Sequence, residues 1–140
     1  MKSLNGSKKS NFPPLLHLAY VLQQLSDELL ERETGIGLSA ARIMSVLDKS
    51  TPTSQRHIAV ELRQTEANVS RQLHSMKKKG LVNISRNKKD SRQRDVVLSS
   101  SGAKHYQQAE KLLKQQQAKF LKMLNKGEAD ILEQAAQKLS

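Results

Sequence analysis

Apolar side chains recur every three or four residues over most of this chain, and this spacing predicts a mainly helical fold. The first predicted helix runs from Leu15 to about Glu33 and is rich in leucine. Its apolar positions are Leu15, Leu16, Leu18, Ala19, Val21, Leu22, Leu25, Leu29 and Leu30. Two interpretations are open, a wide core face in a monomer or a helix shared between the core and a partner chain. We favour the shared helix.

Two shorter helices are predicted next, the first after a loop at 34–37 and the second after a break at 50–53. Ser39 is expected to cap the first of them, and Thr53 or Ser54 the second, because serine and threonine accept hydrogen bonds from the free N–H groups of a first turn. The expected inward side chains are Ile43, Val46 and Leu47 in the first helix, and Ile58, Ala59 and Leu62 in the second.

A fourth helix follows the tight turn 63–65, and it is the segment most informative about function. Val69, Leu73 and Met76 recur at spacings of four and three and form its buried stripe. The opposite face carries small, polar or cationic side chains: Ala67, Arg71, His74, Ser75 and Lys78, with Asn68 and Ser70 on the flanks. Such a face fits the floor of a DNA major groove without steric conflict.

A β-hairpin is predicted directly after this helix. Gly80 ends the helix, since glycine adopts the left-handed conformation without a Cβ clash. Residues 81–86 and 95–99 are rich in valine, isoleucine and leucine and predict two strands, and the polar sequence NKKDSRQR between them predicts the hairpin tip. Asp90 is interpreted either as an ordinary turn residue or as a side chain that pairs with Arg92 or the backbone and shapes the tip.

Two helices are predicted after the hairpin. Ser99 is expected to cap a long helix that reaches about Asn125, and Gly127 is expected to end it. The last helix is then predicted from Glu128 to Leu139. The apolar share of the chain is 36% and the aromatic share 3%, which leaves a thin core for a monomer and favours an oligomer.

Positive charge is concentrated in the helix and hairpin just described. Between Asn68 and Arg94 the sequence contains nine lysines and arginines and one acidic residue, Asp90. This segment therefore accounts for +8 of the formal net charge of +11. The basic residues are Arg71, Lys77, Lys78, Lys79, Arg86, Lys88, Lys89, Arg92 and Arg94. A polyanion such as DNA is therefore the expected partner.

The spacing of several residues resembles that of the MarR family of bacterial winged-helix transcription regulators. The residues that carry the resemblance are Gly80-Leu81-Val82, Asp90 and Arg92 in the hairpin, Leu98-Ser99, Gly102, and Ile58-Ala59 upstream. The sequence departs from the family pattern at Ile84, where an arginine is common, and at Ser99, where threonine is usual. The resemblance extends from about Phe12 to the C-terminus.

The resemblance implies a mainly α fold with a small β-hairpin wing, in which a winged helix-turn-helix joins a helical dimerisation domain. Residues 1–11 are expected to be a disordered tail and 12–140 a single MarR-like domain. Within it, 12–33 and 100–140 would be dimerisation helices and 38–99 the winged-helix part. The expected dimer interface contains Leu15, Leu18, Leu22, Leu113, Phe120, Ile131, Leu132 and Leu139.

The implied function is regulation of transcription, as a repressor by family precedent, by a homodimer that binds a pseudo-palindromic operator in double-stranded DNA. A small aromatic or anionic effector would release it, and no effector-binding residues are assigned. Arg92 or Arg94 would enter a minor groove narrowed by A·T pairs. The expected DNA-binding residues are Ser54, Gln55, Arg56, Ala67, Asn68, Ser70, Arg71, His74, Ser75, Lys78, Arg86, Lys88, Lys89, Asp90, Arg92 and Arg94.

Other classes of function find little support in the sequence. The chain has no cysteine, its four histidines are scattered, and it has no Gly-rich phosphate loop, nucleophile elbow or HExxH motif. We therefore expect no metal, no cofactor and no enzymatic activity. With no apolar segment long enough for a signal peptide or a membrane helix, we expect a cytoplasmic, nucleoid-associated protein. The alternative function is a winged-helix module for nonspecific nucleic-acid binding or protein interaction.

Overall fold

The structure of the protein is a computed structural model that describes residues 11–140. The helices are α1 (Pro14–Thr34), α2 (Leu38–Ser45), α3 (Gln55–Leu62), α4 (Glu66–Lys78), α5 (Ser100–Leu121) and α6 (Lys126–Leu139). The strands are β1 (Thr53–Ser54), β2 (Val82–Arg86) and β3 (Arg94–Leu98). The expected fold class, helices with a small β wing, is confirmed. The tail expected to be disordered lies, except for Asn11, outside the described residues.

The three strands form one antiparallel sheet in the order β1-β3-β2. The predicted hairpin is present, and Ile84 of β2 lies opposite Val96 of β3. The short strand β1 was not predicted. It pairs Thr53 with the same Val96 from the other side, and two residues are too few to show the alternation that identifies a strand in a sequence.

The main core lies between α2, α3, α4 and the sheet. The predicted stripe of α4 is confirmed, since Val69, Leu73 and Met76 are buried. They pack with buried side chains from the other elements, among them Ile43, Met44, Ile58, Leu81, Val82, Val96 and Leu98. A smaller cluster of Leu30, Ala41 and Ala109 joins α1, α2 and α5. The winged-helix part is therefore packed directly against the long helices.

The expected cap of α2 is wrong. The helix begins at Leu38, and its N-cap residue is Gly37, which has no side chain to accept a hydrogen bond. The backbone N–H of Leu38 donates instead to Asp27 Oδ1 of α1, at 2.9 Å. Because a carboxylate eleven residues away satisfies this N–H, the cap also fixes the start of α2 against α1.

The expected boundary between the last two helices is also wrong. The helix α5 ends at Leu121 rather than near Asn125, and Gly127 lies inside α6. Asn125 is the N-cap residue of α6: its Oδ1 accepts from the N–H of Glu128 at 2.8 Å, and Glu128 Oε1 accepts from the N–H of Asn125 at 3.1 Å. In a sequence, such a reciprocal capping box indicates the start of a helix more strongly than a glycine indicates the end of one.

The outer surfaces of α1 and α6 remain apolar and open to solvent in the single chain. Leu15 is 71% exposed in α1, and Ile131 and Leu139 are 68% and 81% exposed in α6. Leu16 is exposed as well. The interpretation of α1 as a wide core face of a monomer is therefore wrong, because part of that face has nothing to pack against in one chain.

Candidate nucleic-acid interface

The helices α3 and α4 meet at a tight turn that sets the direction of α4. Arg63 adopts the left-handed conformation, with φ of 53°, and ends α3. Thr65 then caps α4, because its Oγ1 accepts from the backbone N–H of Asn68 at 3.1 Å. This is the helix-turn-helix that the sequence predicts.

The outward face of α4 is polar and cationic as predicted. Its exposed side chains line one shallow depression, formed by Ser70, Arg71, His74, Ser75 and Lys78. Because the buried stripe points the other way, this face is free of large apolar groups. Its chemistry, a row of donors and positive charge, suits the base edges and phosphates of a DNA groove.

Three side-chain amides line up along the turn and α4. Gln64 Oε1 accepts from Asn68 Nδ2 at 3.0 Å and from Gln72 Nε2 at 2.8 Å. Gln72 Nε2 also approaches the backbone oxygen of Asn68 at 3.3 Å. Gln64 and Gln72 are not among the predicted site residues, although amides at 64, 68 and 72 have the spacing of one helix face, which is a signal visible in the sequence.

The tip of the wing is ordered by its own polar side chains. Asn87 Oδ1 accepts from the backbone N–H groups of Lys89 and Asp90, at 2.8 and 2.9 Å. Asn87 Nδ2 donates to Asp95 Oδ2 at 2.9 Å across the hairpin. The tip is therefore a defined turn and not a loose loop, and Asn87 and Asp95 are supporting residues that the sequence analysis missed.

Asp90 continues this turn and positions Arg92. Its Oδ1 accepts from the backbone N–H of Arg92 at 3.0 Å, and Arg92 Nε lies 3.5 Å from the same oxygen. Both interpretations of Asp90 therefore hold together. The side chain of Arg92 is 92% exposed. Arg94 differs, because it lies in β3, is half-buried and donates to the backbone oxygen of Ser91 at 3.3 Å.

A second concave surface lies where the start of α3 meets the wing. It has a volume of about 230 Å³ and is lined by Gln55, Arg56, Glu66, Asp90, Arg92, Gln93 and Arg94. Ser54 stands just beside it as the N-cap residue of α3, with its Oγ accepting from the N–H of His57 at 3.0 Å. Three guanidinium groups thus converge near the start of a helix, where a phosphate would be attracted.

The structure distributes the predicted DNA-binding residues over two surfaces. Ser70, Arg71, His74, Ser75 and Lys78 line the depression on α4. Gln55, Arg56, Asp90, Arg92 and Arg94 line the concave surface beside the wing. The remaining ones, Ser54, Ala67, Asn68, Arg86, Lys88 and Lys89, line neither.

A cavity of about 350 Å³ opens between α1, α2 and α5. Its polar groups include Arg42, Tyr106, Glu110 and Lys114, and Leu22, Leu38 and Leu113 contribute apolar walls. Glu110 accepts from Lys114 Nζ at 3.0 Å, and the bonds from Lys114 and then Tyr106 lower the pKa of this carboxyl. Burial, followed by the bond to Glu110, raises the pKa of Tyr106. The sequence did not reveal this site because three separate helices supply it.

Metal ligands are not clustered in this chain as far as the structure extends. Among residues 11–140, no three or more histidine, aspartate or glutamate side chains are grouped so that they could hold an ion. Over the same range, none of the helices combines the length and the apolar character that crossing a membrane requires.

The central part of the chain matches a known protein family. Residues 34–93, which include α2, α3, α4 and most of the wing, match the family model described as MarR family. Over this segment the chain is similar to the MarR family. Proteins of this family are transcription regulators and not enzymes. No curated protein matches the chain.

Solved structures show the same MarR fold over nearly the whole chain. A crystal structure of MarR superposes with a TM-score of 0.83 at 12% identity, covering 95% of this chain and 92% of that one. A Staphylococcus aureus MepR–DNA complex gives 0.78 at 19% identity, with 94% and 97% covered. A MarR/EmrR family transcriptional regulator from Acinetobacter sp. ADP1 gives 0.72 at 25% identity, with 90% and 89% covered.

Proposed function

We propose that the chain is a homodimeric repressor that binds a pseudo-palindromic operator and is released by a small molecule. One observation carries the DNA-reading role of α4. From Ala67 to Lys78 its exposed side chains include no carboxylate and no large apolar group. A protein-interaction module would need apolar residues there, because interface cores are apolar and depleted of charge. A nonspecific binder needs charge but no groove-fitting face.

In the proposed complex α4 lies in the major groove and the wing follows the adjacent minor groove. Arg71 and His74 then face base edges or the phosphates beside them. Arg56 and Arg94 face the phosphate backbone, and the exposed Arg92 reaches toward the minor groove, where narrow A·T tracts have the strongest negative potential. Support comes from the MepR relative, which was crystallised with DNA.

The proposed dimer buries the apolar outer surfaces of α1 and α6. Leu15, Ile131 and Leu139 are the most exposed large apolar side chains of these two helices. Leu18, Leu22, Phe120 and Leu132 line a neighbouring groove between α1, α5 and α6. Leu113 lines the adjoining cavity between α1, α2 and α5. In this division 12–33 and 100–140 dimerise, and 38–99 bind DNA. Two such units related by a two-fold axis would read two half-sites.

The cavity between α1, α2 and α5 is the proposed effector site. It touches both the dimerisation helices and α2 of the DNA-binding part, so a ligand there would change the angle between them. Its cations, Arg42 and Lys114, suit an anionic ligand, and aromatic contact is limited to Tyr106. Such a protein would act on the nucleoid in the cytoplasm.

Selection of bound sequences from a random pool of duplex DNA tests this function. We expect an inverted repeat, because a two-fold dimer presents two identical α4 helices. Enrichment of no sequence, with unchanged affinity for all DNA, would leave the nonspecific module as the function.

The dimer is tested by sedimentation of the wild type and of two variants at micromolar concentration. We expect a dimer for the wild type and a folded monomer for the double variant Leu15→Glu with Ile131→Glu, since both side chains are already exposed in the single chain. Val60→Glu is the matched control, because Val60 is 69% exposed but lies in α3. It should leave the dimer intact. A folded wild-type monomer would refute the proposal.

A further inference from the structure

We propose that Gln64, in the turn between α3 and α4, is a positioning residue for sequence discrimination, because it fixes the side-chain amide of Asn68 on the DNA-facing helix. The inference rests on the proposed function of α4. The side chain of Gln64 is half-buried and its Oε1 is already engaged by two side-chain amides, so its effect would pass through Asn68 and not through contact with DNA.

Gln64 is held in place by both its backbone and its side chain. Its backbone N–H donates to the oxygen of Ala59 at 2.9 Å, which ties the turn to α3. Its Oε1 accepts two hydrogen bonds, from Asn68 Nδ2 at 3.0 Å and from Gln72 Nε2 at 2.8 Å. The side chain is half-buried, so little freedom remains for the acceptor that the two amides share.

This acceptor decides which side of the Asn68 amide faces outward. With Nδ2 bound to Gln64, Oδ1 is directed toward Arg71, whose Nη2 lies 3.4 Å away. If the amide were reversed, two carbonyl oxygens would face each other and the bond would be lost. Asn68 therefore presents its oxygen, and it holds Arg71 on the face that would read base edges.

Gln72 gives independent support for the fixed orientation. Its Oε1 is buried and has no hydrogen-bond partner among residues 11–140. Reversing the amide would not relieve this unpaired oxygen, because it would turn Oε1 toward the oxygens of Gln64 and Asn68 and lose both bonds of Nε2. The bonds that Nε2 makes to Gln64 Oε1 and to the backbone oxygen of Asn68 therefore set its orientation.

The first experiment compares Gln64→Met, which removes the acceptor at similar length, with Gln64→Glu, which keeps it. For each variant, dissociation constants are measured at fixed salt for the preferred sequence selected by the wild type and for a scrambled duplex. We expect the affinity ratio of the two DNAs to fall about two- to tenfold in Gln64→Met, as is typical for the loss of one hydrogen bond. Gln64→Glu should keep the ratio while both affinities fall together, since its charge repels all DNA.

The second experiment separates positioning from a general structural role. If Gln64 acts through Asn68, Gln64→Met should not lower the affinity ratio of preferred to scrambled DNA any further in an Asn68→Ala background. Melting temperatures of all variants show whether the fold is kept. An unchanged ratio in Gln64→Met, or an equal loss with and without Asn68, would overturn the inference. A wild type with no preferred sequence would overturn the proposed function itself, which is a different result.

Discussion

Gly102, in the first turn of α5, lies directly against the carbonyl oxygen of Leu81, at the start of the wing. A Cβ at Gly102 would overlap with that oxygen. The same oxygen accepts from the backbone N–H of Ser99 at 3.0 Å, and Ser99 Oγ caps the helix at the N–H of Gly102. The long helix α5 is thus joined to the wing at a point where no side chain fits.

We therefore expect Gly102→Ala to lower the free energy of unfolding by about 1–3 kcal/mol, because the added methyl group meets backbone that cannot easily move. Urea denaturation measures this difference. Gly127→Ala is the matched control, since its nearest neighbour would be Asn125 Oδ1 at 3.5 Å. In a helix, alanine at that position should be neutral or stabilising by up to about 1 kcal/mol. Equal stability of both variants would contradict the close approach.

The cap that joins α1 to α2 gives a second stability prediction. Asp27→Ala removes the acceptor for the backbone N–H of Leu38 and should cost about 1 kcal/mol, as the loss of an N-cap does. Asp27→Asn keeps an oxygen in the same place and should cost less. Denaturation curves measure the loss in free energy of unfolding for each variant. Equal losses would show that Asp27 contributes through its charge and not as a cap.

Contacts within one element or between the adjacent strands of the hairpin were predictable from the sequence, and contacts between elements far apart in the chain were not. The stripe of Val69, Leu73 and Met76 was identified because its helical spacing is visible in a few residues. Strand β1 and the cap by Asp27 depend on partners far along the chain, and no local pattern records them. The capping box of Asn125 and Glu128 marks the start of α6 in the sequence, but Gly127 lies between them and suggests a helix end at the same place.

The candidate site follows the same rule. The outward face of α4 and the cationic wing were read from spacing and charge. The difference between Arg92 and Arg94 was not, because it depends on which residue the turn at Asp90 leaves at the tip. The cavity around Tyr106 and Glu110 was also missed, since α1, α2 and α5 form it only after folding.

Tyr106 provides a prediction of pH dependence. Its folded-state pKa lies above the usual 10.0, first through burial and then through Glu110. The neutral phenol therefore stabilises the fold below pH 10, and this contribution is lost as the pH rises through the folded-state pKa. In Glu110→Gln we expect the pKa of Tyr106 to fall but to stay above its usual value, because the burial remains.

Ultraviolet titration of tyrosinate measures this change. Tyr20 is the only other tyrosine in the sequence and is 59% exposed, so it gives a reference signal, and Tyr20→Phe leaves Tyr106 alone in the spectrum. A titration of Tyr106 that is the same with and without Glu110 would contradict the proposed contact.

Operator affinity should depend steeply on salt. Nine cations between Asn68 and Arg94, doubled in a dimer, could neutralise on the order of 6–10 phosphates, so log K against log salt should have a slope of roughly −5 to −9. Filter binding over a series of salt concentrations measures it. A slope near zero would exclude phosphate contacts as the main source of affinity.

The last prediction separates α4 from the wing through Arg71, Arg92 and Arg94. Arg71 lies on the exposed face of α4 beside Asn68, so Arg71→Ala should cost about 1–3 kcal/mol on the preferred sequence and less on scrambled DNA, if it contacts a base edge. Arg92 stands exposed at the tip of the wing, so Arg92→Ala should weaken binding to most sequences and flatten a flanking A·T preference. Arg94→Ala should act more weakly on that preference, since the side chain is half-buried in β3.

Each variant is titrated at one salt concentration against the selected operator, a scrambled duplex, and operators with A·T or G·C flanks. Asp90→Ala tests whether the turn positions Arg92. It removes the oxygen that the backbone N–H and the Nε of Arg92 both contact, and it keeps the guanidinium group. It should reduce the flanking preference, as Arg92→Ala does, but it should not lower affinity for scrambled DNA, since a negative charge is removed. If Arg71→Ala lowered all affinities equally and a wing variant abolished discrimination within the half-site, the roles of α4 and the wing would be the reverse of those proposed.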